Sequence, residues 1–496
     1  MNMDWIAKAE LAKLEVRNFI NGRWSEVGGT PLEKMSPRDG RLLCRFGSGD
    51  RRDVEDAVAI ARRTFNDGRW SKLPIQHRKD VLHRLAGLIE VNKESLALLE
   101  CLDVGKPISD ALAFDVPAAA GIIRFNAEGA DKYYGRVYGV DQSSLSYQLW
   151  RPMGVVAAIV GWNFPFLLAA SKVGPALATG NSLILKPSEL TSFSAARLAE
   201  LAIEAGVPEG VFNVIHGRGD VGAALVRHSD VDLVTFTGSS HTGKKLLIAA
   251  GESNMKRLIL ECGGKSPNIV FDDGPDLEAI ADQVVARAFY NQGQVCTASS
   301  RILIQDSIKD EFLSIMIRKT SSLILGDPLR TETKFGAVVS LGHKQKVLSY
   351  VDRGEKEGAK SVYKSNASPP YVGGFYVPPV IFDNVSPRHS ISQEEIFGPV
   401  LSVMSFRDEE EAIQIANRTI YGLSAILWTK NLGRAHRVTQ GVKVGWMVVN
   451  ATDKSTGGPG IGVISVGGHK ESGVGLEGGL QGLEEYTSKT AVQVFV

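Results

Sequence analysis

Thiols are scarce in this chain: four cysteines, Cys44, Cys101, Cys262 and Cys296, in 496 residues. None forms a CxxC pair and none lies near histidines at metal-ligand spacing. That excludes a disulfide scaffold and the common zinc sites, and it suits a reducing compartment. Charge of one sign is lacking too. Lys and Arg number 56 against 55 Asp and Glu, a formal net charge of +1. Both signs are mixed along the chain, so no footprint for nucleic acid or an anionic membrane is present. Long apolar runs are also missing. The most apolar stretch, 155–170, is interrupted by Asn163 and Pro165 and is too short to span a bilayer. The N-terminal "MNMDWIAKAELAKLEVRNFI" has no signal-peptide core and is too acidic for a transit peptide. A cytoplasmic protein without a metal site is expected.

What is present is regular. At this length two or three domains are expected, with 44% hydrophobic residues and 52 glycines. From Val155 onward, apolar runs alternate with amphipathic helical stretches: "VVAAIV", "SLILK", "VFNVIHG" and "DLVTFTG", each followed by a helix. A second series follows Cys296, with "RILIQ", "VLSVMSF", "AILWT" and "GWMVVN". Continuous apolar strands between helices predict parallel, doubly wound sheets buried on both faces. The fold class is therefore α/β, two such domains with a ligand cleft between them.

Two phosphate-loop patterns do not hold up. "GRGDVG", 217–222, fits G-x-G-x-x-G after a strand, but the next strand ends in "TFTGSSHTG" without the acid the fingerprint requires. It reads as a tight turn. "GGKS", 263–266, has Ile259 where a phosphate loop needs its first glycine.

The chemistry gathers around "FYNQGQVCTASSR", 289–301, which sets Cys296 among small and polar residues between a helix-like and a strand-like run. A catalytic thiol needs an oxyanion donor and, for hydrolysis, a base. "GWNFP" places Asn163 at a strand end, as an amide donor or as a helix cap. "LILECGGK" brings Glu261 out of an apolar strand into a glycine turn, as a general base or as a structural carboxylate. "QEEIFGPV" carries Glu394 and Glu395, which the start of a helix explains equally well. "LILKPSE" puts Glu189 just past the second strand, where dinucleotide folds grip ribose hydroxyls. That favours NAD over NADP, although Lys186 beside it could accept a phosphate.

Taken together, "GWNFP", "KPSE", "FTGSSHTG", "ECGGKSPNIVF", "FYNQGQVCTASSR", "EEIFGPV" and "HKESGVG", in this order, resemble the aldehyde dehydrogenase superfamily along nearly the whole chain. The resemblance implies Cys296 as nucleophile, forming a thiohemiacetal and then a thioester. It implies Asn163 and the Cys296 N–H as oxyanion donors, Glu261 as the base for hydrolysis, and Lys172 and Glu477 as a proton relay. For NAD it implies Lys186, Ser188 and Glu189 at the adenine ribose, Trp162, Gly238 and Ser239 at the phosphates, and Glu395 and Phe397 at the nicotinamide ribose. The implied architecture is a Rossmann-like cofactor domain, 1–133 and 153–262, and a catalytic domain, 263–474. An oligomerisation element, 134–152 and 475–496, would have its C-terminal strand pair across subunits of a homodimer or homotetramer.

Departures from the family pattern bear on the substrate. Gly161 stands where proline is frequent, Cys262 follows the base, and Ser171 replaces a bulky aromatic. Cys262 could lie close enough to Cys296 for a disulfide under oxidation, or be a small buried residue. The loop "NATDKSTGGPGIGVISVGGHK", 450–470, carries no aromatic side chain. A wide tunnel lined by Ser171, Val295, Thr297 and this loop is expected to take bulky, aromatic or long-chain aldehydes. "FINGRW" and "AGESNMKRL" resemble γ-aminobutyraldehyde-type dehydrogenases, suggesting an amino-aldehyde read by Asp115 or Asp453. The competing classes are a cofactor-free thiol hydrolase, which usually pairs its thiol with histidine, and a catalytically idle relative. A CoA-acylating enzyme is disfavoured because Glu261 is present.

Overall fold

The computed structural model describes residues 4–25, 28–139, 143–450 and 462–495. Two large sheets dominate it. In the first, five parallel strands run in the spatial order Phe212–Val214, Ser182–Lys186, Val155–Ile159, Leu233–Thr237 and Arg257–Glu261. The chain starts in the middle, builds outward to one side, then crosses back to build the other. The strand order thus reverses between Val155–Ile159 and Leu233–Thr237, and in such sheets ligands bind outside the carboxyl ends of the strands at that point.

The strand Val155–Ile159 is buried at every position, as is Ser182–Lys186. That is why these segments read as unbroken apolar runs rather than alternating ones. Helices cover both faces, and their ends follow local chemistry. Phe193–Ala205 stops at Gly206, whose φ of 108° suits glycine. Pro165 opens Pro165–Ala178 at a position where no N–H is needed.

The second sheet has seven strands, six of them parallel, in the order Lys360–Lys364, Val380–Asp383, Val400–Phe406, Arg301–Gln305, Pro267–Val270, Ser424–Trp428 and Trp446–Val449. The turn at 262–266 joins the carboxyl end of Arg257–Glu261 in the first sheet to the amino end of Pro267–Val270 in the second. Residues 365–379 are irregular, as the sequence suggests for 365–374.

A third sheet joins Thr487–Phe495 to Ser144–Pro152 over nine residue pairs, with Val137–Tyr138 beyond. The expectation that the C-terminal strand pairs across subunits is corrected here in part. Its ladder is with the chain's own hairpin, and only its outer edge remains for another copy. No helix among the described residues is long and apolar enough to cross a membrane.

Candidate active site

Cys296 is half-buried and sits just before the strand Arg301–Gln305, in a loop the backbone holds tightly. Three successive residues upstream have positive φ: Asn291 at 47°, Gln292 at 58° and Gly293 at 72°. For Asn and Gln this conformation is sparsely populated and costs of order 1–3 kcal/mol per residue, as is common at functional sites. The loop is pinned from both sides. A Cβ on Gly264 would lie 2.4 Å from the Cys296 carbonyl oxygen, and one on Gly293 would lie 2.4 Å from that of Gly398.

Asn163 follows the strand Val155–Ile159 and is buried. It does not cap the next helix, whose N-cap is Phe164 with no side-chain bond. Its Nδ2 donates to the Gln294 carbonyl at 2.9 Å, and the Asn291 Nδ2 donates to the Asn163 carbonyl at 2.9 Å. The amide is thereby locked two residues from the thiol.

Glu261 ends the strand Arg257–Glu261, and its Oε1 is buried with no hydrogen-bond partner among the described residues. It is therefore not a carboxylate tied to backbone amides. Burial, then the Glu477 charge, push it up to about 8, while Lys172 pulls it down. Lys172 Nζ pairs with Glu477 Oε2 at 2.5 Å. Burial, with Glu395 and Glu261 adding, pushes the Cys296 thiol up to about 12, so this arrangement holds it protonated.

At the switch point, Gly238 and Ser239 introduce the helix Ser240–Gly251, with Ser239 capping it by accepting from the Thr242 N–H at 3.2 Å. Lys186 Nζ lies 3.7 Å from Glu189 Oε2, and Ser188 Oγ accepts from the Leu190 N–H at 3.2 Å. Trp162 packs edge-on to Phe397 at 5.1 Å and to His343 at 5.0 Å. Glu394 and Glu395 follow a helical turn, Ser390–Gln393, rather than starting one, which corrects that alternative. Glu395 turns inward and accepts from the Gly264 N–H at 2.9 Å, whereas Glu394 accepts from the Tyr350 hydroxyl.

A cavity of about 230 Å³ opens onto Cys296, lined among others by Ser171, Val295 and Thr297. Phe114, Phe164 and Trp446 also wall it, so the described wall of the tunnel is aromatic. Sequence reasoning missed Phe114, Trp446 and His343. They lie in distant segments, and no local motif marks them.

Asp115 is corrected as an amine anchor, because it is fully buried and paired with Lys106. Asp453 and most of the loop 450–470 lie outside the described residues. Cys262 is free, as is Cys296, and packs in the apolar cluster of the first sheet against Gly243.

A sequence model of the aldehyde dehydrogenase family matches residues 24–492. Among curated proteins, the chain is 45% identical to an NADP/NAD-dependent aldehyde dehydrogenase of Escherichia coli, over 99% of this chain and 98% of that one. Among solved structures it is similar to the aldehyde dehydrogenase KauB of Pseudomonas aeruginosa (TM-score 0.95, 47% identity, 99% of each chain). It is also similar to an indole-3-acetaldehyde dehydrogenase complexed with NAD+ (TM-score 0.96, 46% identity, 99% of each chain). The chain belongs to the aldehyde dehydrogenase family and oxidises an aldehyde with NAD.

Proposed function

We propose that Cys296, Asn163 and Glu261 carry the oxidation of the aldehyde. The observation behind this is the lock between Asn163 and the turn preceding Cys296, beside a buried carboxyl oxygen without a partner. Cys296 Sγ bonds to the aldehyde carbon, and its proton leaves for Glu261. The developing oxyanion is held by the second N–H of Asn163 Nδ2 and by the Cys296 N–H. Such donors, aimed where charge develops, usually supply the largest catalytic contribution. Once the thiol proton has passed to Lys172 and Glu477, and loss of hydride from the former aldehyde carbon has turned the thiohemiacetal into a thioester, Glu261 takes a proton from water, whose oxygen attacks the thioester. The C–S bond breaks, releasing the acid and a thiolate that regains the proton from Glu261.

The donor set suits a dinucleotide. Glu189 and Lys186 offer partners for ribose hydroxyls, with Ser188 in the same turn, and the solvent-facing amino end of Ser240–Gly251, capped by Ser239, suits a diphosphate. Trp162, Glu395 and Phe397 would flank the nicotinamide side. When bound, NAD supplies the acceptor for the electron pair leaving the aldehyde carbon. The two large sheets serve as cofactor and catalytic domains in this reading.

The third sheet leaves Leu145, Leu149, Val494 and Phe495 exposed, and its strand Thr487–Phe495 is a long edge. Covering it in a homodimer or homotetramer removes an aggregation hazard, and light scattering tests that assembly.

The test of the reaction is NADH formation across a panel of aldehydes. Wild-type turnover should disappear in Cys296→Ala at unchanged melting temperature. Activity that survives this substitution sinks the reading.

A further inference from the structure

We propose that the cavity selects neutral aldehydes with a compact apolar or aromatic body and rejects cationic amino-aldehydes. This rests on the assignment of Cys296 as the reacting thiol.

The walls are built as a rigid aromatic frame. Phe164 stacks on Tyr290 at 6.1 Å and 18°, and Phe114 meets Tyr290 edge-on at 6.0 Å. Lys106 Nζ sits 4.0 Å from the centre of the Phe164 ring. Phe114 stands on the π-helical turn Ala111–Asp115, whose last residue closes the Lys106 pair. Rings held this way present fixed apolar faces to a flat substrate.

Charge decides the rest. Glu477 is the one charged residue among the described lining residues, and Lys172 already neutralises it. Asp115 follows Phe114 in the chain but is spent on Lys106, and neither side of that pair is exposed. Among the described residues an ammonium entering the cavity would find no free counter-ion, and burying an unpaired charge is strongly unfavourable. Aromatic faces can hold cations, yet one π face of Phe164 already carries Lys106. A second cation would share that ring with the first.

The test separates charge from shape with an isosteric pair. Betaine aldehyde and 3,3-dimethylbutanal differ only in nitrogen for carbon at the branch point, and neither cyclises. Wild-type kcat/KM should favour the neutral member by roughly 100-fold or more, the scale of discrimination when a buried charge goes unpaired. Phenylacetaldehyde should exceed both.

Ser171 lines the cavity, so Ser171→Asp supplies the missing counter-ion. It should raise the betaine aldehyde to dimethylbutanal ratio at least about tenfold. A ratio near one in the wild type overturns the proposal, as does an unchanged ratio in folded Ser171→Asp. So does a preference for the cation that disappears in Asp453→Asn. Silence of folded wild type toward all three aldehydes also overturns the proposal, whereas turnover that survives Cys296→Ala refutes the Cys296 assignment itself, a distinct result.

Discussion

Lys172 and Glu477 meet at 2.5 Å across 305 residues of sequence, and the pair sits behind Glu261. Lys172 comes from the helix after Asn163, and Glu477 from the C-terminal segment. Each affects Glu261 in an opposite sense: Glu477 raises its pKa and Lys172 lowers it. The pair therefore acts as a setting on the base.

With Glu261 pushed up to about 8, its basic form grows as pH rises through that value. Where thioester hydrolysis limits turnover, kcat should climb between pH 7 and 9. Glu477→Gln removes the charge that raises Glu261 and frees Lys172 to act on it, so the inflection should move to lower pH. Lys172→Met should move it to higher pH. A pH–rate profile of the three enzymes checks both directions. Inflections that coincide in all three refute the coupling.

Asn163→Ala removes one oxyanion donor and leaves the Gln294 carbonyl without its 2.9 Å partner. A fall in kcat of roughly 100- to 1,000-fold is expected. Pre-steady-state kinetics should place the loss in the step that forms the bond to sulfur. A change confined to KM would indicate that the amide only shapes the pocket.

Gly293→Ala is expected to reduce kcat by roughly 100-fold through misplacement of Cys296. The position has φ of 72°, and a Cβ would lie 2.4 Å from the Gly398 carbonyl, a backbone atom that cannot swing aside. The rate of Cys296 alkylation, compared with wild type, reads the displacement independently of turnover.

His216 is fully buried, and burial, then Lys186, pushes it down to about 3. A depressed pKa means its contribution to stability is complete above about 6.5, the unfolded value. That contribution is lost as pH falls toward 3. Between pH 7 and 5 the loss should be about 2 kcal/mol. His216→Phe should flatten this part of the pH dependence, as measured by urea denaturation at the two pH values. Equal pH sensitivity in both proteins would show that the acid response comes from other groups.

Local physics made the strands and helices legible from the residues alone. Val155–Ile159 and Ser182–Lys186 are apolar throughout because parallel strands covered on both faces have no solvent side. Gly206 ends its helix because a φ of 108° is open to glycine. The motifs around Cys296, Asn163 and Glu261 were visible as well, since each is a short contiguous stretch at a strand boundary. The readings left open there turned on tertiary contacts. Whether Asn163 caps its helix depends on where Gln294 lies, 131 positions away. Whether Asp115 is free depends on Lys106, whose ammonium also sits over Phe164. The substrate wall brings Phe114, Phe164 and Trp446 together from segments far apart in the chain. Burial and charge pairing are properties of the packed interior, so only the folded chain decides which carboxylates remain available to a ligand.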